Sequence, residues 1–133
     1  MRRCLDPRRL APRIHVDGLC GVVAGNQLRH ASMRDLSALG LRLERPFDPR
    51  TASRFIQLEI ELPDIDEIVW ASAEVTFARL TPMGGQHPNG EPRLWCQAGV
   101  RLRQVATAER RLLRDYVVET RRARREPLAA MAA

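Results

Sequence analysis

Between Asp35 and Leu43 the alternation of side chains changes face, and few folds accommodate that. In an extended chain residues two apart share a side, so Asp35 and Ser37 lie opposite Leu36, which faces a core. Further on, Leu39, Leu41 and Leu43 alternate with Gly40, Arg42 and Glu44, so the odd positions become the inward ones. A period of two cannot reverse without a turn or bulge. Gly40 is the residue here free to take a positive φ. The stretch therefore predicts strand, tight turn, strand. A carboxylate and a hydroxyl sit at the corner, beside a glycine that permits close approach to the backbone.

Other segments repeat the extended pattern. Ile14–Ala24 and Gln27–Leu36 read as strands joined at Gly25-Asn26, a dipeptide of strong turn character. Phe55–Leu62 alternates most clearly, with Ile56, Leu58, Ile60 and Leu62 inward, and Pro63-Asp64 ends it. Ile68–Leu80 and Leu94–Val105 are further strands, and the proline- and glycine-rich segment Thr81–Pro92 reads as a loop. From Thr107 the period becomes 3.6, with Leu112, Leu113, Tyr116 and Val117 on one stripe. Thr107 is the expected N-cap, Glu109 suits the first turn, and Pro127 is the expected stop. Six short strands and one terminal helix predict a mainly β fold, a six-stranded antiparallel β-barrel with a C-terminal α-helix.

At 133 residues the chain suits one domain able to bury a core without staples. Expected boundaries are a flexible basic arm over 1–13, barrel and helix over 14–120, and a basic, small-residue tail over 121–133. All 22 basic residues are arginine and the formal charge is +6, so every cation is a planar fork suited to phosphates, carboxylates or guanine edges. Cys4, Cys20 and Cys96 have neither the spacing of a zinc site nor an even count for a disulfide framework. No apolar run reaches a membrane span, and the basic start Met1–Arg3 lacks a secretion signal's apolar stretch, so a cytoplasmic location is expected. His15, His30 and His87 have no neighbouring nucleophile or metal set, which disfavours an enzyme. The scattered aromatics lack the spaced platform of a nucleic-acid-binding barrel. Arg110 and the run Arg121–Arg125 read as solvated helix surface.

The order of features is more specific than any one of them. Arg9-x-x-x-Arg13 precedes the first strand, Asp35-x-Ser37-x-x-Gly40 follows the second, and Gly99-Val100-Arg101-Leu102 lies in the last. This order, over roughly Arg8 to Val118, resembles the PilZ domain, the bacterial receptor module for the second messenger cyclic di-GMP. Leu102 departs from the aromatic residue often found there. The resemblance implies a ligand site formed by Arg8, Arg9, Arg13, Asp35, Ser37 and Gly40, an arm that folds over the barrel when ligand binds, no cofactor or metal, and an effector protein as partner. Chemistry agrees with the transfer. An arginine fork reads guanine O6 and N7 bidentately, a carboxylate accepts from guanine N1 and N2, and a bare glycine leaves room for a sugar-phosphate. The alternatives are a PilZ-like adaptor that binds no ligand, with Asp35 and Ser37 merely capping their own turn, and a small basic nucleic-acid-binding barrel.

Overall fold

The computed structural model describes the backbone of residues 11–132 and side chains as far as Arg125. The expected arm, with Arg8 and Arg9, lies outside the described residues except for its last three. Six strands follow the alternation: β1 (Arg13–Ala24), β2 (Gln27–Ser37), β3 (Gly40–Pro46), β4 (Phe55–Glu61), β5 (Ile68–Gln86) and β6 (Pro92–Val105). All neighbours are antiparallel, and the sheet closes in a ring ordered β1-β2-β3-β6-β5-β4. Closure comes from β1 against β4, where Cys20 faces Ile60 and Val22 faces Leu58. Inside lie Met33, Leu36, Leu58, Ile60 and Val69, each buried, so the branched aliphatic residues form the core as composition requires.

One helix, α1 (Thr107–Ala132), packs on this sheet through Leu113 and Val117, both fully buried. The Tyr116 hydroxyl donates to the Pro63 carbonyl at 2.8 Å, which ties the helix to the turn between β4 and β5. Thr107 is the first helical residue and not the cap, because Arg110 N already donates to the Ala106 carbonyl at 2.8 Å. Nor does Pro127 end the helix, which runs through it to Ala132. An interior proline removes one intrahelical hydrogen bond, a weaker constraint than the stop expected of it.

Three further departures have local causes. The face change occurs twice: a register shift between Met33 and Asp35 lets Met33 and Leu36 both point inward, and the β2–β3 connection then places Leu36 opposite Leu41. Leu39 lies in that connection and is exposed, not buried. The expected loop Thr81–Pro92 is mostly strand. Here β5 and β6 extend as a two-stranded ribbon, Gly84 and Gly85 take positive φ where the register shifts, and only residues 87–91 turn. Because β4 stops at Phe55 opposite Glu74, β5 beyond that point is an edge, where Pro82 is tolerated.

Gly40 is required for a different reason from the one its sequence context suggests. Its φ is not in the left-handed region; instead a Cβ there would stand 2.2 Å from the Val100 carbonyl oxygen of β6. At Gly25, by contrast, φ is +61° and the space is open. Gly40→Ala should therefore cost ~3 kcal/mol or more in urea unfolding, against ~1 kcal/mol for Gly25→Ala. Equal losses would contradict the close approach of β3 to β6.

Candidate functional site

The turn between β2 and β3 is built by Ser37. Its Oγ accepts from Leu39 N at 3.1 Å and Gly40 N at 3.2 Å and lies 3.2 Å from the Gly40 carbonyl, to which it donates. Ser37 is buried, so its hydroxyl is committed to the turn. Asp35 behaves otherwise. Its Oδ1 is 3.3 Å from His15 Nδ1 and its Oδ2 4.0 Å from Arg42 Nε, so it does not cap its own turn and faces across the sheet towards β1 and β3. The register explains both contacts, since Asp35 is paired with His15 on one side and Arg42 on the other.

Around this turn lies a cavity of about 680 Å³, lined by Arg13, Asp35, Ser37, Gly40, Arg42, Phe77, Gly99, Arg101 and Arg110 among others. Arg13 reaches it because β1 begins there, directly opposite Ser37. Four arginines and one aspartate thus line it, a balance of charge that favours an anion. At one side the Phe77 ring lies over Gly99, where a Cβ would come within 2.1 Å of it. Arg42 stands over the same ring at 5.9 Å from its centroid. Thr76 Oγ1 donates to the Gly99 carbonyl at 3.1 Å and fixes the strand beneath.

Of the residues expected from sequence, the structure brings Arg13, Asp35, Ser37 and Gly40 to one cavity, while Arg8 and Arg9 lie outside the described residues. Sequence reasoning missed Arg42, Phe77, Arg101 and Arg110. A signal existed for two of them: Arg42 and Arg101 alternate outward on strands whose facing residues include Gly40 and Gly99, the positions that open space. The helical pattern puts Arg110 on the solvated side, yet its Nη1 donates to the Ala38 carbonyl at 3.0 Å and clamps the turn to the start of α1. No strand or helix period announces a contact between residues so far apart in sequence.

Burial pushes the Cys20 thiol up to about 12, and burial likewise raises Cys96 despite the nearby Arg45 cation. Among the described residues no three His, Cys, Asp or Glu side chains gather as a metal site. No helix among them is long and apolar enough to cross a membrane.

The family model of the PilZ domain matches residues 7–119, a span that takes in the ring, the site and the leader arginines. The chain belongs to the PilZ domain family. Solved structures show the same fold at low sequence identity. The PilZ domain of YcgR from Escherichia coli, solved with c-di-GMP, aligns at TM-score 0.67 and 18% identity, over 92% of this chain and 98% of that one. The inhibitor of motility MotI (DgrA) of Bacillus subtilis aligns at 0.64 and 15%, over 89% of this chain, which spans 53% of that protein. PlzA of Borreliella burgdorferi, in complex with c-di-GMP, aligns at 0.53 and 8%, over 84% and 52%. No curated protein matches by sequence. Within this PilZ domain the Ser37 bonds predict that Ser37→Ala, which strands the Leu39 and Gly40 amides, lowers stability by ~1–3 kcal/mol in chemical unfolding. A neutral result would show that the turn holds without its hydroxyl.

Proposed function

We propose that this PilZ domain is a non-catalytic receptor for cyclic di-GMP that passes the signal to a partner protein. The observation carrying the reading is the convergence of Arg13 and Asp35 on one arginine-rich cavity beside Gly40. A ligand with two phosphates meets the guanidinium excess, while each guanine offers O6 and N7 to an arginine fork and N1 and N2 to a carboxylate. In this reading Arg13, with Arg8 and Arg9 from the leader, takes phosphate and guanine acceptors, and Asp35 takes the guanine donors. Ser37 and Gly40 act by shaping the turn that presents Asp35. The YcgR domain and PlzA, named as c-di-GMP complexes, support the ligand class. MrkH, described as a c-di-GMP-dependent transcription regulatory factor, and MotI, an inhibitor of motility, support a role in regulation.

In this proposal the closed sheet is the rigid barrel, the leader is the switch that orders over it at the cost of its freedom, and the site of action is the cytoplasm. Arg110 gives the bound state a route to the helix, because it touches both cavity and turn.

Calorimetric titration with cyclic di-GMP, beside GTP and a short oligonucleotide, tests the reading. Arg9→Ala, Arg13→Ala and Asp35→Ala should each weaken cyclic di-GMP binding by ~1–3 kcal/mol, with the fold intact by circular dichroism. Arg121→Ala should change it little. Similar losses from all the arginines, with oligonucleotide binding tighter, would instead indicate a nucleic-acid binder held by diffuse charge.

A further inference from the structure

The outer face of β4 and β5 is apolar and acidic in a chain that is basic overall. Trp70 is 56% exposed and Ile68 43%, the former paired across the strands with Glu59 and the latter with Glu61. Asp64, Asp66 and Glu67 extend the acidic strip around the turn, and none of these five carboxylates enters an ion pair among the described residues. An indole left this open beside carboxylates without a cation partner among the described residues suits a surface that carries both apolar and cationic groups.

The chain itself carries such a surface. Arg121, Arg122, Arg124 and Arg125 lie on α1 beyond the fully buried Val117, and only Arg122 among them has a described carboxylate partner, Glu119. The acidic turn after β4 is tied to α1 by the Tyr116–Pro63 hydrogen bond, so the end of the acidic strip that carries Asp64 lies beside the helix that bears the arginines. The Tyr116 phenol, raised chiefly by burial, also senses the Asp64 carboxylate and the opposing Arg124 cation, which places both charges near it. Adjacent strips of opposite charge are self-complementary under a two-fold rotation, the condition an isologous interface must meet. The helix of the same copy does not cover Trp70, so the indole remains available to a second one.

We propose that this face is a homodimer interface, in which the β4–β5 surface of one copy, with Ile68 and Trp70 at its centre, receives the arginine-rich end of α1 from a second copy, and the reverse. The apolar pair supplies burial, and the charges fix orientation and choice of partner. The surface is separate from the cavity, so it stands or falls independently of the ligand.

Analytical ultracentrifugation of the full chain over a wide range of concentration is the test. The expected result is a reversible rise from the mass of one chain towards two. Trp70→Ala, an exposed position whose loss leaves the core intact, should abolish the rise, and Glu59→Arg and Arg124→Glu should each weaken it. An equimolar mixture of the two charge-reversed variants should associate more strongly than either alone, because both contacts of the mixed dimer then carry opposite signs, one reversed and one native, where each variant's own dimer has two like-charged contacts. A wild-type chain that stays monomeric at every concentration would overturn the proposal. So would association indifferent to Trp70→Ala, or a mixture no stronger than its components.

Discussion

The candidate site depends on one close approach, the β2–β3 turn pressed against the backbone of β6. Gly40 lies where no side chain fits beside the Val100 carbonyl, and Leu102 N donates to the Leu39 carbonyl at 2.8 Å, so the turn is joined to β6 from both sides. Ser37 closes it from within and Arg110 from the helix above. A turn held this firmly can present Asp35 and admit Arg13 to the same cavity with little reorganisation, which is how a site conserves binding energy. Motif residues that look like ligand contacts in the sequence thus divide into two kinds. Asp35 and Arg13 face the cavity, while Ser37 and Gly40 make the shape that lets them do so.

Much of the fold was legible because period-two alternation survives wherever one side of a strand is buried. Ile56, Leu58, Ile60 and Leu62 show this, and all four are buried as their spacing predicts. The helix was legible for the same reason at a period of 3.6, through Leu113 and Val117. What alternation could not reveal is where it breaks for structural rather than sequence reasons. The shift between Met33 and Asp35 needs no glycine or proline, and the β5–β6 ribbon continues through residues whose composition suggests a loop. No side chain of that ribbon from Thr81 to Gln86 is fully buried, so no buried side was there to impose a pattern.

The site was half legible. Asp35, Ser37 and Gly40 announce themselves through a turn, and Arg13 through its position at the first strand. Arg42, Phe77, Arg101 and Arg110 could be found only once the ring order was known, because three strands and a helix distant in sequence bring them together. The glycines carry the clearest trace of this geometry. Gly40 and Gly99 occupy places where neighbouring atoms already fill the space of a side chain, so each records a contact that the sequence alone leaves unnamed.

In the proposed receptor an anionic dinucleotide binds in the cavity between the β1 entrance and the β2–β3 turn. The most direct measurement is a titration of the isotope-labelled protein with cyclic di-GMP, followed amide by amide by NMR. Shifts should concentrate at Arg13, Asp35, Gly40, Arg42, Gly99 and Arg101, with the outer face of β4 and β5 around Trp70 unchanged. Shifts absent at saturating ligand, or centred on that outer face, would contradict binding there.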